Sequence, residues 1–192
     1  MPKLWTATVE AHHEAVYGAV LDAAASLVAA RGLSGITMSA IASETGIGRA
    51  TLYKYFSDVA AILTAWHERH IASHQARLME IAHRPAAPAM RLRAVLEAYA
   101  QMAAHEQTAA AAAIHAAPHA QHARQHLRMF LGQIIAAAQT GAVRTDIAAD
   151  ELAAYCLAAL DAAGAAKNNA AIGRLVDVTL DGLRPVRKSS RA

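Results

Sequence analysis

Apolar residues recur at helical spacing along the chain, and the breaks between these runs carry recognisable helix caps. Val16, Val20, Ala24, Leu27 and Val28 predict a first helix from about Val9 to Arg31, with Gly32 placed to end it in a left-handed conformation. Thr37 is a helix N-cap type, and "MSAIASET" after it puts Met38, Ile41 and Ala42 on one apolar face. Gly46 limits that helix to about two turns. Gly48 to Tyr55 reads as a third short helix with Leu52 and Phe56 on one side, and Ser57 and Asp58 offer the next cap. A longer helix, about Val59 to His83, carries Leu63, Trp66, Ile71, Leu78 and Ile81 until "RPAAP" ends it.

Beyond Pro88 the pattern stays helical, with no repeat at the periods of about 20–50 residues that mark solenoids. Leu92, Val95, Leu96, Tyr99 and Met102 line one helix, and an alanine-rich helix is expected to reach about Ala117. Pro118 suits the first turn of a helix running to about Gln139 through Leu127, Phe130, Leu131, Ile134 and Ile135. "TGAVRTDI" is a turn, and two further helices are predicted at about Asp150 to Ala165 and Ala170 to Leu183. The expected fold is all-α, with about nine helices divided between residues 1–57 and 58–192.

Composition supports this reading and removes several function classes. About half of the 55% hydrophobic content is alanine, with 5 prolines and 5% aromatics, which favours closely packed helices. No run of about 18 strongly apolar residues exists, so no membrane span is expected, and the N-terminus lacks the cationic start and apolar core of a secretory signal. Cys156 is the single cysteine. It excludes an internal disulfide, fits a reducing cytoplasm, and among Leu152, Tyr155 and Leu160 reads as helix packing. The net charge of +3 says little about partners, because Lys3, Arg31, Arg49 and Lys54 are matched within residues 1–57 by Glu10, Glu14, Asp22 and Glu44. A nucleic-acid site must therefore be local.

Two short helices joined by a glycine turn and braced by a longer one describe a helix-turn-helix. With Leu52 and Phe56 inward, Arg49, Ala50, Thr51, Tyr53, Lys54 and Tyr55 are expected to project outward, and no acid interrupts the surface from Thr45 to Ser57. Arginine can pair with guanine, hydroxyls can reach phosphate oxygens, and the small Gly48 and Ala50 would let the helix lie close to the groove.

The segment "GITMSAIASETGIGRATLYKYFSDVAAIL", Gly35 to Leu63, strongly resembles the DNA-binding region of TetR-family transcriptional repressors through Thr37, Ile41, Ala42, Gly46, Ile47, Thr51, Leu52, Tyr53, Tyr55 and Phe56. The resemblance implies that Thr37, Thr51 and Tyr55 contact phosphates of a double-stranded operator, while Arg49, Ala50, Tyr53 and Lys54 face bases or the adjoining backbone. Val59 departs from the family, which usually has a phosphate-binding lysine there. The resemblance further implies a palindromic operator, a small-molecule effector, and a homodimer formed by the last two helices, with no cofactor.

For those helices the small-residue stripes Leu152, Cys156, Ala159, Leu160 and Ile172, Leu175, Val176, Thr179, Leu183 are the expected interface, although such stripes equally suit an internal core. The family's fourth and seventh helices commonly line an effector pocket, here assigned to Trp66, His70, His74, Tyr99, Met102, His126 and Phe130. The 11 histidines include two rows, His67, His70, His74 and His119, His122, His126. Imidazoles three and four residues apart can share a divalent metal, but with no cysteine or placed carboxylate beside them a neutral organic effector is favoured. A metal-responsive regulator is the alternative. A histidine-metal enzyme is more distant, since no GxSxG elbow, phosphate loop or HExxH pair occurs.

Overall fold

Most helix ends fall near the expected caps, but the first helix begins at Lys3, ahead of the expected start near Val9. In the computed structural model the backbone is described for residues 3–32, 35–105 and 118–185, and the side chains for the same residues except 3–10 and 118–120. Among these residues there are eight α-helices: α1 (Lys3–Arg31), α2 (Met38–Thr45), α3 (Arg49–Tyr55), α4 (Val59–His83), α5 (Pro88–His105), α6 (Pro118–Ala138), α7 (Ala149–Asp161) and α8 (Asn169–Gly182). A 3₁₀ turn at Ala162–Ala165 follows α7, so the expected helix to Ala165 tightens over its last residues. The alanine-rich helix expected to reach Ala117 lies outside the described residues.

Contacts divide the chain into two units, Met1–His70 and Ile71–Ala192. The division falls beyond residue 57, where the sequence placed it, because the first turns of α4 belong to the first core. In that core Val20, Leu21 and Leu27 of α1 meet Ile41 of α2, Leu52 of α3 and Ile62 of α4, with Val59, Leu63 and Trp66 packed at its edge. Neither α2 nor α3 is long enough to be stable alone in water, so their helicity depends on this shared burial.

The second unit is built from α5, α6, α7 and α8, with the later turns of α4. Leu92, Leu96, Leu131, Ile135, Leu160 and Leu183 are among its fully buried side chains. Here the structure corrects the assignment of the two small-residue stripes. Leu152, Cys156, Leu160, Ile172, Val176, Thr179 and Leu183 are buried within this single chain, and only Ala159 and Leu175 are half-buried. Side chains already withdrawn from water have no area left to bury against a partner, so the stripes form the subunit's own core. The Thr179 hydroxyl donates to the Leu175 carbonyl at 2.8 Å, which satisfies it there without a partner chain.

The opposite faces of α7 and α8 carry the exposed residues. Tyr155 and Val178 remain 44% and 64% exposed. The Tyr155 hydroxyl lies over Gly182, where an added Cβ would come within 2.8 Å of it. A larger residue at Gly182 would require only the tip of the exposed Tyr155 side chain to move.

Candidate nucleic-acid interface and effector cavity

The turn before α3 is set by two residues. Gly46 ends α2 at φ 68°, the left-handed region that glycine enters without steric cost. The Thr45 hydroxyl donates back to the Ile41 carbonyl at 2.8 Å and lies 3.3 Å from the Ile47 amide, which donates to it. Thr45 thus locks the corner between the two short helices, a role its sequence position did not announce. At the other end of α2, Thr37 Oγ1 accepts from the Ala40 amide at 3.0 Å. That cap uses an oxygen lone pair and leaves the hydroxyl proton of this exposed threonine able to donate to a phosphate.

Leu52 and Phe56 are buried and fix the inner side of α3. Gly48, its N-cap, and Arg49, Ala50, Thr51, Tyr53 and Lys54 are all exposed, as expected. Tyr55 differs. It is half-buried, and its ring packs against His13 of α1 with centroids 4.7 Å apart. Tyr55 therefore braces α3 on α1. A second ring pair, Tyr17 on Phe56, repeats that bracing, and Arg69 of α4 donates to Asp22 of α1 at 2.5 Å. These three contacts join residues far apart in sequence, which is why periodicity could not reveal them.

The start of α4 is occupied from within. Asp58 accepts from the Ala61 amide at 2.8 Å and from the Ser57 hydroxyl at 3.1 Å, and the amide bond first, then the hydroxyl, hold its carboxyl below the usual carboxylate range. Val59 beside it is half-buried against the first core. Where the family's lysine would reach out, this chain has an apolar contact and a neighbouring anion.

In the second unit, α4, α5 and α6 line a cavity of about 100 Å³, open on one side, with Ile71, His74, Gln75, Leu78, Tyr99, Met102, Ala103, Ala123, Arg124 and Leu127 in its wall. His74, Tyr99 and Met102 of the expected pocket line it. Trp66, His70, His126 and Phe130 do not. Trp66 and His70 stack on each other at 5.9 Å within the first unit, Phe130 packs on the second core, and His126 is exposed. Spacing along a helix shows which residues share a face but not which part of that face is opposite a cavity, because the rotation of each helix is set by its packing against the others. A shallower hollow of about 240 Å³, lined by His74, Arg77, Ala98, Gln101, Met102 and His105, adjoins the first through His74 and Met102.

Sequence reasoning missed Arg124 and Asp161. Tyr99 Oη donates to Asp161 Oδ1 at 2.6 Å, and Arg124 Nη2 donates to Asp161 Oδ2 at 2.6 Å. The hydrogen bond from Arg124 to Asp161 raises the guanidinium above its ordinary value against the opposing effect of burial. The histidines of the first row occupy different settings. His67 is buried, His70 faces Trp66 and His74 lines the cavity. His122 and His126 bring their Nε2 atoms to 3.1 Å on the exposed side of α6, while the side chain of His119 lies outside the described residues. Among the described residues no group of three or more histidine, cysteine or acidic side chains is arranged to hold a metal, and no helix is long and apolar enough to cross a membrane.

Comparison with known proteins agrees with this architecture. The chain resembles a TetR/AcrR-family regulator from Thermobifida fusca, with 17% identity and a TM-score of 0.76 over 88% of this chain and 98% of that one. A TetR regulator from Streptomyces coelicolor is 26% identical, with a TM-score of 0.62 over 88% and 99% of the two chains. The transcriptional regulator FadR of Bacillus subtilis, solved in complex with stearoyl-CoA, is 17% identical, with a TM-score of 0.65 over 86% and 96%. No curated protein sequence matches. Residues 20–65 match the bacterial regulatory proteins of the tetR family, and residues 87–185 match the C-terminal domain of SbtR-like transcriptional regulators. These two matches fall on the helix-turn-helix and on the helical unit with the cavity, and the chain belongs to the TetR family of transcriptional regulators.

Proposed function

We propose that this regulator is a cytoplasmic repressor that binds a palindromic operator as a homodimer and releases it when a small molecule fills the cavity of the second unit. The observation that carries the reading is the outer side of α3: Arg49, Ala50, Thr51, Tyr53 and Lys54 are all exposed on a helix anchored from behind by Leu52 and Phe56, with no carboxylate from Thr45 to Ser57. A rigid acid-free helix is what a major groove accepts. Two such helices would sit about 34–36 Å apart, one turn of DNA. The exposed outer faces of α7 and α8, with Tyr155 and Val178, are the surface proposed for the second copy.

Effector control follows from continuity. α4 contributes its first turns to the DNA-binding unit and its later residues Ile71, His74, Gln75 and Leu78 to the cavity wall. A ligand that favours one placement of that wall shifts the population between dimer geometries of different operator affinity.

Electrophoretic retention of duplex DNA from upstream of the protein's own gene tests the first half of the reading. Retention that survives excess random duplex is expected, and equal retention of both would overturn it. The second half is tested by adding the small-molecule fraction of a cell extract to the operator complex. Release is expected for the wild type and not for Ala103→Phe, whose ring would occupy the cavity. Release that persists in Ala103→Phe would remove the cavity from the account.

A further inference from the structure

Resting on that effector reading, we propose that the effector is a small organic monocarboxylate whose head takes the place of Asp161 on Arg124 and Tyr99. The Asp161 side chain already shows how a carboxylate fits there. One oxygen accepts from the Tyr99 phenol and the other from the Arg124 guanidinium, each at 2.6 Å. Two donors on different helices are thus spaced for the two oxygens of one carboxylate, the geometry that makes such recognition selective.

The surroundings favour the same ligand. Among the described residues neither the cavity nor the adjoining hollow is lined by an acid, whereas Arg124 and Arg77 stand at them with His74 and His105. The interior is apolar, walled by Ile71, Leu78, Met102 and Leu127. A volume of about 100 Å³ is small. Cavities of about 150 Å³ hold benzene, and drug-sized ligands need about 300 Å³ or more. A short hydrocarbon tail of a few carbons fits that volume.

Exchange of carboxylates is feasible because the resident pair is accessible. The Arg124 and Asp161 side chains keep 51% and 42% of their exposure, so Asp161 can return to water when displaced. The exchange also has somewhere to send its signal. Asp161 is the last residue of α7, while Tyr99 and Arg124 belong to α5 and α6. Losing Asp161 would untie the end of α7 from both helices that line the cavity, and α7 carries the face proposed for the second copy. Ligand entry and dimer geometry would then be opposite ends of one ion-pair switch.

Butyrate, butyramide and butyryl-CoA are the probes, with binding followed by calorimetry and operator release by fluorescence anisotropy. Butyrate should bind and release operator, and the isosteric neutral amide should bind at least about tenfold more weakly, as expected for loss of a charged hydrogen-bond partner. Arg124→Gln should weaken butyrate by a similar factor. Asp161→Asn, which removes the competing carboxylate but keeps its shape, should tighten butyrate by about tenfold and lower operator affinity even without ligand. Both substitutions are at exposed positions, and circular dichroism melting verifies that each variant is folded. Amide binding equal to acid binding, or operator release by butyryl-CoA at concentrations where butyrate releases none, would overturn the carboxylate. Butyrate affinity unchanged in Asp161→Asn would overturn the exchange. If an extract releases operator through a cavity that Ala103→Phe blocks, yet Arg124→Gln responds like wild type, the effector reading stands and this inference fails.

Discussion

Tyr17 of α1 stacks on Phe56, the residue that closes α3, with ring centroids 4.9 Å apart. The pair fixes the far end of α3, the helix proposed to face DNA, while the Thr45 and Gly46 corner fixes its near end. Phe56→Ala empties a buried aromatic site and should cost about 3–5 kcal/mol in stability of the first unit. Chemical denaturation followed by circular dichroism would measure it, and operator binding should fall with it. Tyr17→Leu keeps much of the apolar contact and should cost less.

Arg49 and Lys54 are both exposed cations on α3, and they are expected to act differently. Arg49→Ala should weaken operator binding by about 1–3 kcal/mol and relax preference at one base pair per half-site. Lys54→Ala should weaken operator and random duplex alike and lower the slope of log affinity against log salt by about one unit per subunit. Salt titrations on both duplexes distinguish the two roles. Equal losses for Arg49→Ala on both would reduce it to a phosphate contact.

Gly46→Ala isolates backbone strain, because an added Cβ at Gly46 meets nothing within 4 Å and φ is 68°. The left-handed conformation alone should cost about 1–2 kcal/mol. Gly46→Asn should cost less, since asparagine tolerates that region. Thermal unfolding of the three proteins would order them, and an alanine variant as stable as wild type would contradict the assigned strain.

Val178→Glu places a charge on the exposed face proposed for the second copy and should shift the protein to monomer in sedimentation velocity while leaving its helicity unchanged. Leu160→Ala, in the core, should instead lower stability by about 2–5 kcal/mol. A dimer untouched by Val178→Glu would move the interface elsewhere on the chain.

Burial alone pushes the Cys156 thiol up to about 12. Because the thiol form is favoured in the folded protein, the reactive thiolate is scarce at pH 8. Native protein should react with iodoacetamide only as fast as it unfolds, and denatured protein should react at once. The sign for Asp58 is opposite. Its folded carboxyl lies below the usual range, so its cap stabilises the protein at neutral pH and that contribution is lost as pH falls through the folded value, below the unfolded value near 3.8. Asp58→Asn should flatten the acid limb of the melting curve over that range.

The sequence by itself determined most of the described helices and several of their ends, although not the start of α1 at Lys3. Gly32, Gly46, Thr37 and Asp58 act through the backbone of their own neighbourhood, so their consequences can be read locally. The exposed side of α3 was legible for the same reason, since burying Leu52 and Phe56 leaves a fixed set of residues to face outward. Only the tertiary structure decided that the two small-residue stripes meet the subunit's own core. Leu152, Cys156 and Val176 look the same in either case, because a small-residue stripe specifies close packing and not the chain it packs against. Only the structure likewise withdrew Tyr55 onto His13, left Trp66 and Phe130 out of the cavity, and joined Tyr99 and Arg124 through Asp161. Those relations link residues on separate helices whose rotations are set by packing, and no spacing along one strand of sequence records that.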